Sequence, residues 1–110
     1  MSGAPLDRTL AALAEPNRRR IIEVLGERPR SAGEVGQAVG LSPPTVSRHL
    51  RALRESRLVE EESPPHDARL RIYRLTPAPM AELRAWLAET EQLWADQLSA
   101  FKAHLEGEGG

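Results

Sequence analysis

The sequence predicts one mainly α-helical domain with a single small β-hairpin between its fourth and fifth helices. Three observations carry this expectation. Apolar residues recur at helical spacing along most of the 110-residue chain. The period changes only across residues 58–75, where apolar and polar side chains alternate. The size fits one domain of roughly 100–150 residues, and 40% hydrophobic with 28% charged residues suits a globular chain rather than a disordered one.

Each element has its own signal. Leu6, Leu10 and Leu13 fall on one face of a short first helix over residues 5–14. Glu15-Pro16 starts a second helix with Pro in its first turn, and Gly26 and Pro29 end it. Its apolar side is Ile21, Ile22, Val24 and Leu25. Ser31-Ala32-Gly33-Glu34 is a capping box that opens a third helix through Val35, Ala38 and Val39. Gly40 ends it in the left-handed role. Only Leu41 then precedes Ser42, the N-cap of a fourth helix over residues 43–56, whose packing face is Val46, Leu50 and Leu53. Leu58-Val59 opens an extended stretch into Glu60-Glu61-Glu62. Pro64-Pro65-His66-Asp67 signals a turn, and Leu70, Ile72 and Leu75 form the returning strand of a hairpin with a short tip. Thr76-Pro77 caps a last helix over residues 77–105, and the Gly-rich tail 107–110 is expected to fray. The chain is read as a single domain over residues 1–110.

Charge is segregated along this order. Residues 15–57 hold nine Arg against five Glu, whereas residues 76–110 hold Arg84 and Lys102 against six acids. A net charge of −1 therefore hides a basic half. Binding to a polyanion depends on such local fields rather than on the total. With no Cys there is no disulfide, thiolate metal site or Cys nucleophile. No apolar run approaches the ~18 residues of a membrane helix, and the first residues lack the pattern of a signal peptide. A cytoplasmic protein without membrane association is expected.

Three helices, a tight turn, a fourth helix, a hairpin and a last helix make a winged helix-turn-helix. In that fold the fourth helix packs one face and offers its N-terminal half to the DNA major groove. Ser42 lies where a helix N-terminus meets phosphate. Thr45 and Ser47 are candidates for base edges or phosphates, Pro44 for a thymine methyl, and Arg48 for a bidentate guanine contact. Arg51 falls off the packing face as well. In the wing, Arg69 and Arg71 are candidates for minor-groove or backbone contacts. Glu60, Glu61 and Glu62 would repel phosphate and are expected to face away. Arg18, Arg19 and Arg20 oppose the dipole of the helix they open. One is expected to pair with Glu23 or Glu34 and another to meet phosphate.

The chain resembles the ArsR/SmtB family of bacterial transcriptional regulators. The resemblance rests on Glu15-Pro16-Asn17-Arg18, on Ser47-x-His49-Leu50-x-x-Leu53, on Leu58-Val59 and on Arg71-Ile72-Tyr73-Arg74-Leu75. It covers about residues 6–105. The resemblance implies double-stranded DNA as partner, and His49 at the edge of the helix–DNA contact. It also implies a two-fold dimer built from the first and last helices. A last helix of about 29 residues is roughly 43 Å long, more than this domain can cover with Trp94 and Phe101 on its stripe. Leu6, Leu10, Leu13, Leu87, Trp94, Leu98 and Phe101 are therefore the expected interface. A two-fold dimer implies a near-palindromic operator with half-sites about one turn of DNA apart.

Founding members of the family release DNA on binding metal. The positions matching their Cys-x-Cys are Ser31 and Gly33, and Asp96, His104 and Glu106 do not converge on the last helix. No metal site, cofactor or catalytic constellation is expected, and an enzyme is not. A homodimeric, autoregulatory repressor is the expected function, its effector being a small organic molecule, a partner protein or none. The rival is a winged-helix protein-interaction module without its own operator.

Overall fold

The computed structural model describes residues 3–109. Its elements run α1 (Gly3–Leu13), α2 (Pro16–Glu27), β1 (Arg30–Ser31), α3 (Ala32–Val39), α4 (Pro43–Glu55), β2 (Val59–Glu62), β3 (Ile72–Leu75) and α5 (Pro77–Gly109). The described chain falls into two compact units, one ending at Met80 and one starting at Ala81. No helix among the described residues is long and apolar enough to cross a membrane.

The core of the first unit is Ala12, Ile21, Leu25, Val35, Val39, Val46, Leu50, Leu53, Leu58 and Val59. These side chains come from α1 to α4, the turn after α4 and the start of β2, so one cluster fixes the mutual angles of the helix-turn-helix. Each fully buried Leu, Ile or Val contributes roughly 1.5–3 kcal/mol over exposure.

Local chemistry sets the ends of the helices. Glu15 caps α2, its carboxylate accepting the Arg18 N–H at 3.0 Å. Ser31 and Glu34 complete a reciprocal box: Ser31 Oγ accepts from the Glu34 N–H at 3.2 Å, and Glu34 Oε1 accepts from the Ser31 N–H at 3.0 Å. Gly40 closes α3 at φ 71°, and the N–H groups of Gly40 and Leu41 both donate to the Gly36 carbonyl. Gly36 is small for a reason. A Cβ there would lie 3.2 Å from the Leu41 carbonyl oxygen and 3.4 Å from Val46 Cγ2.

The junction from α4 to β2 is a Schellman turn. Leu58 N–H donates to Leu53 O and Arg57 N–H to Arg54 O. Arg57 occupies its left-handed position at φ 64°, where Gly is usual. Leu53 and Leu58 are both fully buried, which supplies the apolar contact of that motif.

Five local expectations need correction. Ser42 stands at the N-cap of α4 but makes no side-chain cap bond; its Oγ sits 2.9 Å from Thr45 Oγ1 instead. Pro43 and Pro44 have removed the first N–H donors of that helix. The hairpin is part of a three-stranded antiparallel sheet of order β1-β3-β2, with Arg30 opposite Tyr73 and Ser31 opposite Ile72. The wing tip is long, because β2 ends where Glu62 pairs with Ile72. Leu70 and both wing arginines, Arg69 and Arg71, therefore lie in the loop, where Asp67 Oδ1 accepts the Arg69 N–H. Among the described residues, Arg18, Arg19 and Arg20 form no ion pair within 4.0 Å with an acid side chain. They cap carbonyls: Arg18 Nε on Ala12 O at 2.6 Å, Arg19 Nη1 on Leu13 O at 2.7 Å and Arg20 Nη2 on Val39 O at 2.6 Å. The unfavourable placement at the start of α2 is offset by favourable placement at the ends of α1 and α3. Lastly, α5 continues through the expected fraying tail to Gly109.

Candidate nucleic-acid interface

The α4 sequence repeats its inward residues at 46, 50 and 53, so residues at 44, 47, 48 and 51 must point outward. Val46, Leu50 and Leu53 are buried, and Pro44, Ser47, Arg48 and Arg51 are exposed, with Ser42 beside them at the helix start. Thr45 is half-buried on the flank. The outer stripe of α4 thus presents two guanidiniums, two hydroxyls and one proline ring.

Ion pairing sets the contact candidates apart from four other arginines. Arg28 pairs with Glu34, Arg30 with Glu27, Arg54 with Glu61 and Arg74 with Glu62. Arg48, Arg51, Arg69 and Arg71 are exposed and have no acidic partner within 4.0 Å among the described residues. The four predicted contact arginines are therefore cationic side chains whose charge is not neutralised locally. An arginine of this kind suits phosphate or guanine.

His49 is a correction. It is only 5% exposed, with Nδ1 3.6 Å from Glu15 Oε2. Its position three residues after Val46 and four before Leu53 turns it toward the packed side of α4. Desolvation works to raise the Glu15 pKa, but the backbone N–H groups of Asn17 and Arg18 and the charges of His49 and Arg18 outweigh it, and the net shift is downward. The Ser31 N–H and the Arg28 side chain lower that of Glu34.

Glu61 is a correction too: expected to face away with Glu60 and Glu62, it reaches the recognition helix instead. Glu61 Oε1 is 3.2 Å from Arg54 Nη2, and Tyr73 stands in register with Glu61 on the facing strand. Desolvation, then the nearby Glu61 carboxylate, raises the Tyr73 pKa. Alternation along β2 held the signal, since Glu61 shares a face with the buried Val59.

The expected dimer residues divide as well. Leu6 is buried within the single chain and Leu13 is half-buried against the core, so neither offers the free surface expected of it. Leu10 is exposed on α1. On α5, Leu87, Trp94, Leu98 and Phe101 are 51–66% exposed, and Leu93 and Leu105 are comparably open. No group of three His, Cys, Asp or Glu able to hold a metal ion occurs among the described residues.

Comparison with known proteins gives this surface a context. A family described as a helix-turn-helix domain matches residues 13–62. The HTH-type transcriptional regulator Rv2034 of Mycobacterium tuberculosis is 35% identical over 103 residues, covering 94% of this chain and 91% of that protein. The solved structure of an ArsR-like transcriptional regulator from Rhodococcus sp. RHA1 matches with a TM-score of 0.71 at 27% identity, over 90% of this chain and 91% of that one. The homodimeric winged helix-turn-helix DNA-binding domain Mb0332 of Mycobacterium bovis, solved in solution, matches with a TM-score of 0.64 at 28% identity, over 86% and 81% of the two chains. With its exposed α4 stripe, its wing and these relatives, the chain belongs to the ArsR family of winged helix-turn-helix transcriptional regulators.

Proposed function

We propose that the protein is a homodimeric, autoregulatory repressor acting in the cytoplasm on a near-palindromic operator. The observation that carries this reading is the outer stripe of α4, where Arg48 and Arg51 stand exposed, with no acidic partner within 4.0 Å among the described residues, on a helix whose other face is core. Two such helices related by a two-fold axis would enter successive major grooves about one turn apart. Ser42, Pro44, Thr45 and Ser47 would lie at the groove around Arg48, while Arg69 and Arg71 would follow the flanking backbone. Leu10 with Leu87, Trp94, Leu98 and Phe101 would form the dimer contact, which accounts for an apolar stripe that a soluble monomer would rarely leave exposed. A homodimer is also the state of the Mycobacterium bovis relative. Repression would follow by occlusion of the promoter by the bound dimer.

Fluorescence anisotropy on the DNA upstream of the protein's own gene, against a random duplex, tests this at two salt concentrations. The expected result is two chains per duplex, much tighter binding upstream, and affinity that falls steeply with salt. Equal, weak binding to both duplexes would favour the protein-interaction module instead.

A further inference from the structure

The ion pair between Arg54 and Glu61 sits at the seam between the recognition helix and the wing. Arg54 is on the last turn of α4, three residues after Arg51, so the two project from neighbouring points of the helix surface. Beside them, Arg51, Arg54, Glu55 and Val59 line a cleft of about 400 Å³. Glu61 reaches Arg54 from β2. Glu61 therefore offsets the charge of Arg54 at this seam, whereas Arg51 has no acidic partner within 4.0 Å among the described residues.

Glu61 is held in place rather than left as a solvated surface acid. Its side chain is 19% exposed against 46% for Arg54. Tyr73 is its partner in register on β3, and the nearby Glu61 carboxylate, after desolvation, raises the Tyr73 pKa. Its neighbours in the acidic run are placed differently: Glu60 is exposed, and Glu62 pairs with Arg74 near the sheet end. For a protein that binds a polyanion, an acid fixed against an arginine of the recognition helix lowers affinity unless it has another use.

We propose that Glu61 is an affinity-limiting residue for DNA, which holds Arg54 and so withholds one sequence-independent phosphate contact per subunit. Tyr73 is its positioning residue. The inference rests on the reading of α4 and the wing as the DNA face. Its consequence is that Arg54, unlike Arg48 and Arg51, contributes little to binding while Glu61 is charged.

Glu61→Gln tests this, because the amide keeps the shape while losing the charge. Anisotropy titrations on specific and random duplexes over a salt series read the outcome. The variant is expected to tighten both duplexes by about fivefold near 0.15 M salt and to steepen the salt slope by about 0.9 per subunit. The specific-to-random ratio should stay unchanged. Arg54→Gln alone should leave the wild-type slope unaltered, and added to Glu61→Gln it should cancel the gain. Tyr73→Phe separates charge from scaffolding, since a structural role would lower the melting temperature of both Tyr73→Phe and Glu61→Gln without steepening the slope. An unchanged slope in Glu61→Gln, with a steep wild-type slope, overturns the inference alone. A slope already lost in Arg54→Gln overturns it too, by showing Arg54 on the DNA in the wild type. A flat wild-type slope would instead overturn the reading of the DNA face.

Discussion

The recognition helix α4 and the last helix α5 carry the same kind of apolar periodicity and leave it in opposite states. In α4 the repeating residues Val46, Leu50 and Leu53 are all 1% exposed or less. In α5 the repeating residues Trp94, Leu98 and Phe101 are exposed by half or more. The period locates a face on each helix. Whether one chain covers that face depends on what else the chain has to pack there. Four further elements supply side chains to the core on which α4 packs. On α5, residues 91–107 are exposed throughout. One helix spends its apolar face on folding; the other leaves its apolar face open, the face that the proposed dimer would cover.

Mutations sharpen this contrast. The largest effect is expected at Leu53, where truncation to Ala should cost about 2–5 kcal/mol in denaturant melts, because the site is closed on all sides. Leu98→Glu should leave the fold of the first unit intact by circular dichroism but reduce the light-scattering mass from two chains to one. A two-chain mass in that variant would break the comparison, since the stripe would then not be the interface. Gly36→Ala should cost about 1–3 kcal/mol, because the added methyl presses on the Leu41 carbonyl and on Val46. The smallest effect is a gain. Arg57→Gly should stabilise by about 0.5–1 kcal/mol, by relieving a left-handed residue that has a side chain. Loss of stability there would mean that the Arg57 side chain has a packing role.

What could be read in advance was what neighbouring residues decide. The capping box at Ser31 and Glu34, the left-handed Gly40 and the Pro16 helix start each depend on a few adjacent positions, and all three stand as expected. The exposed stripe of Pro44, Ser47, Arg48 and Arg51 follows from the 3.6 period alone. What escaped depends on partners distant in sequence. Arg20 reaches the carbonyl of Val39, and His49 meets Glu15, contacts that no local pattern encodes. Two residues of β1 are too few to show a period. Leu70 and Ile72 alternate like a strand, yet the ladder stops at Ile72 because β2 ends opposite it at Glu62. Glu61 stood in a run of three acids all expected to face away, although pleating turns only its side chain of the three toward the recognition helix.

The most direct test of the account compares Arg48→Ala with Arg71→Ala on a tightly bound upstream duplex and on random DNA. If α4 reads bases and the wing follows the backbone, Arg48→Ala loses about 1–3 kcal/mol on the specific duplex and far less on random DNA, while Arg71→Ala weakens both alike. Equal losses for both variants on both duplexes would contradict the assignment of α4 as the reading helix.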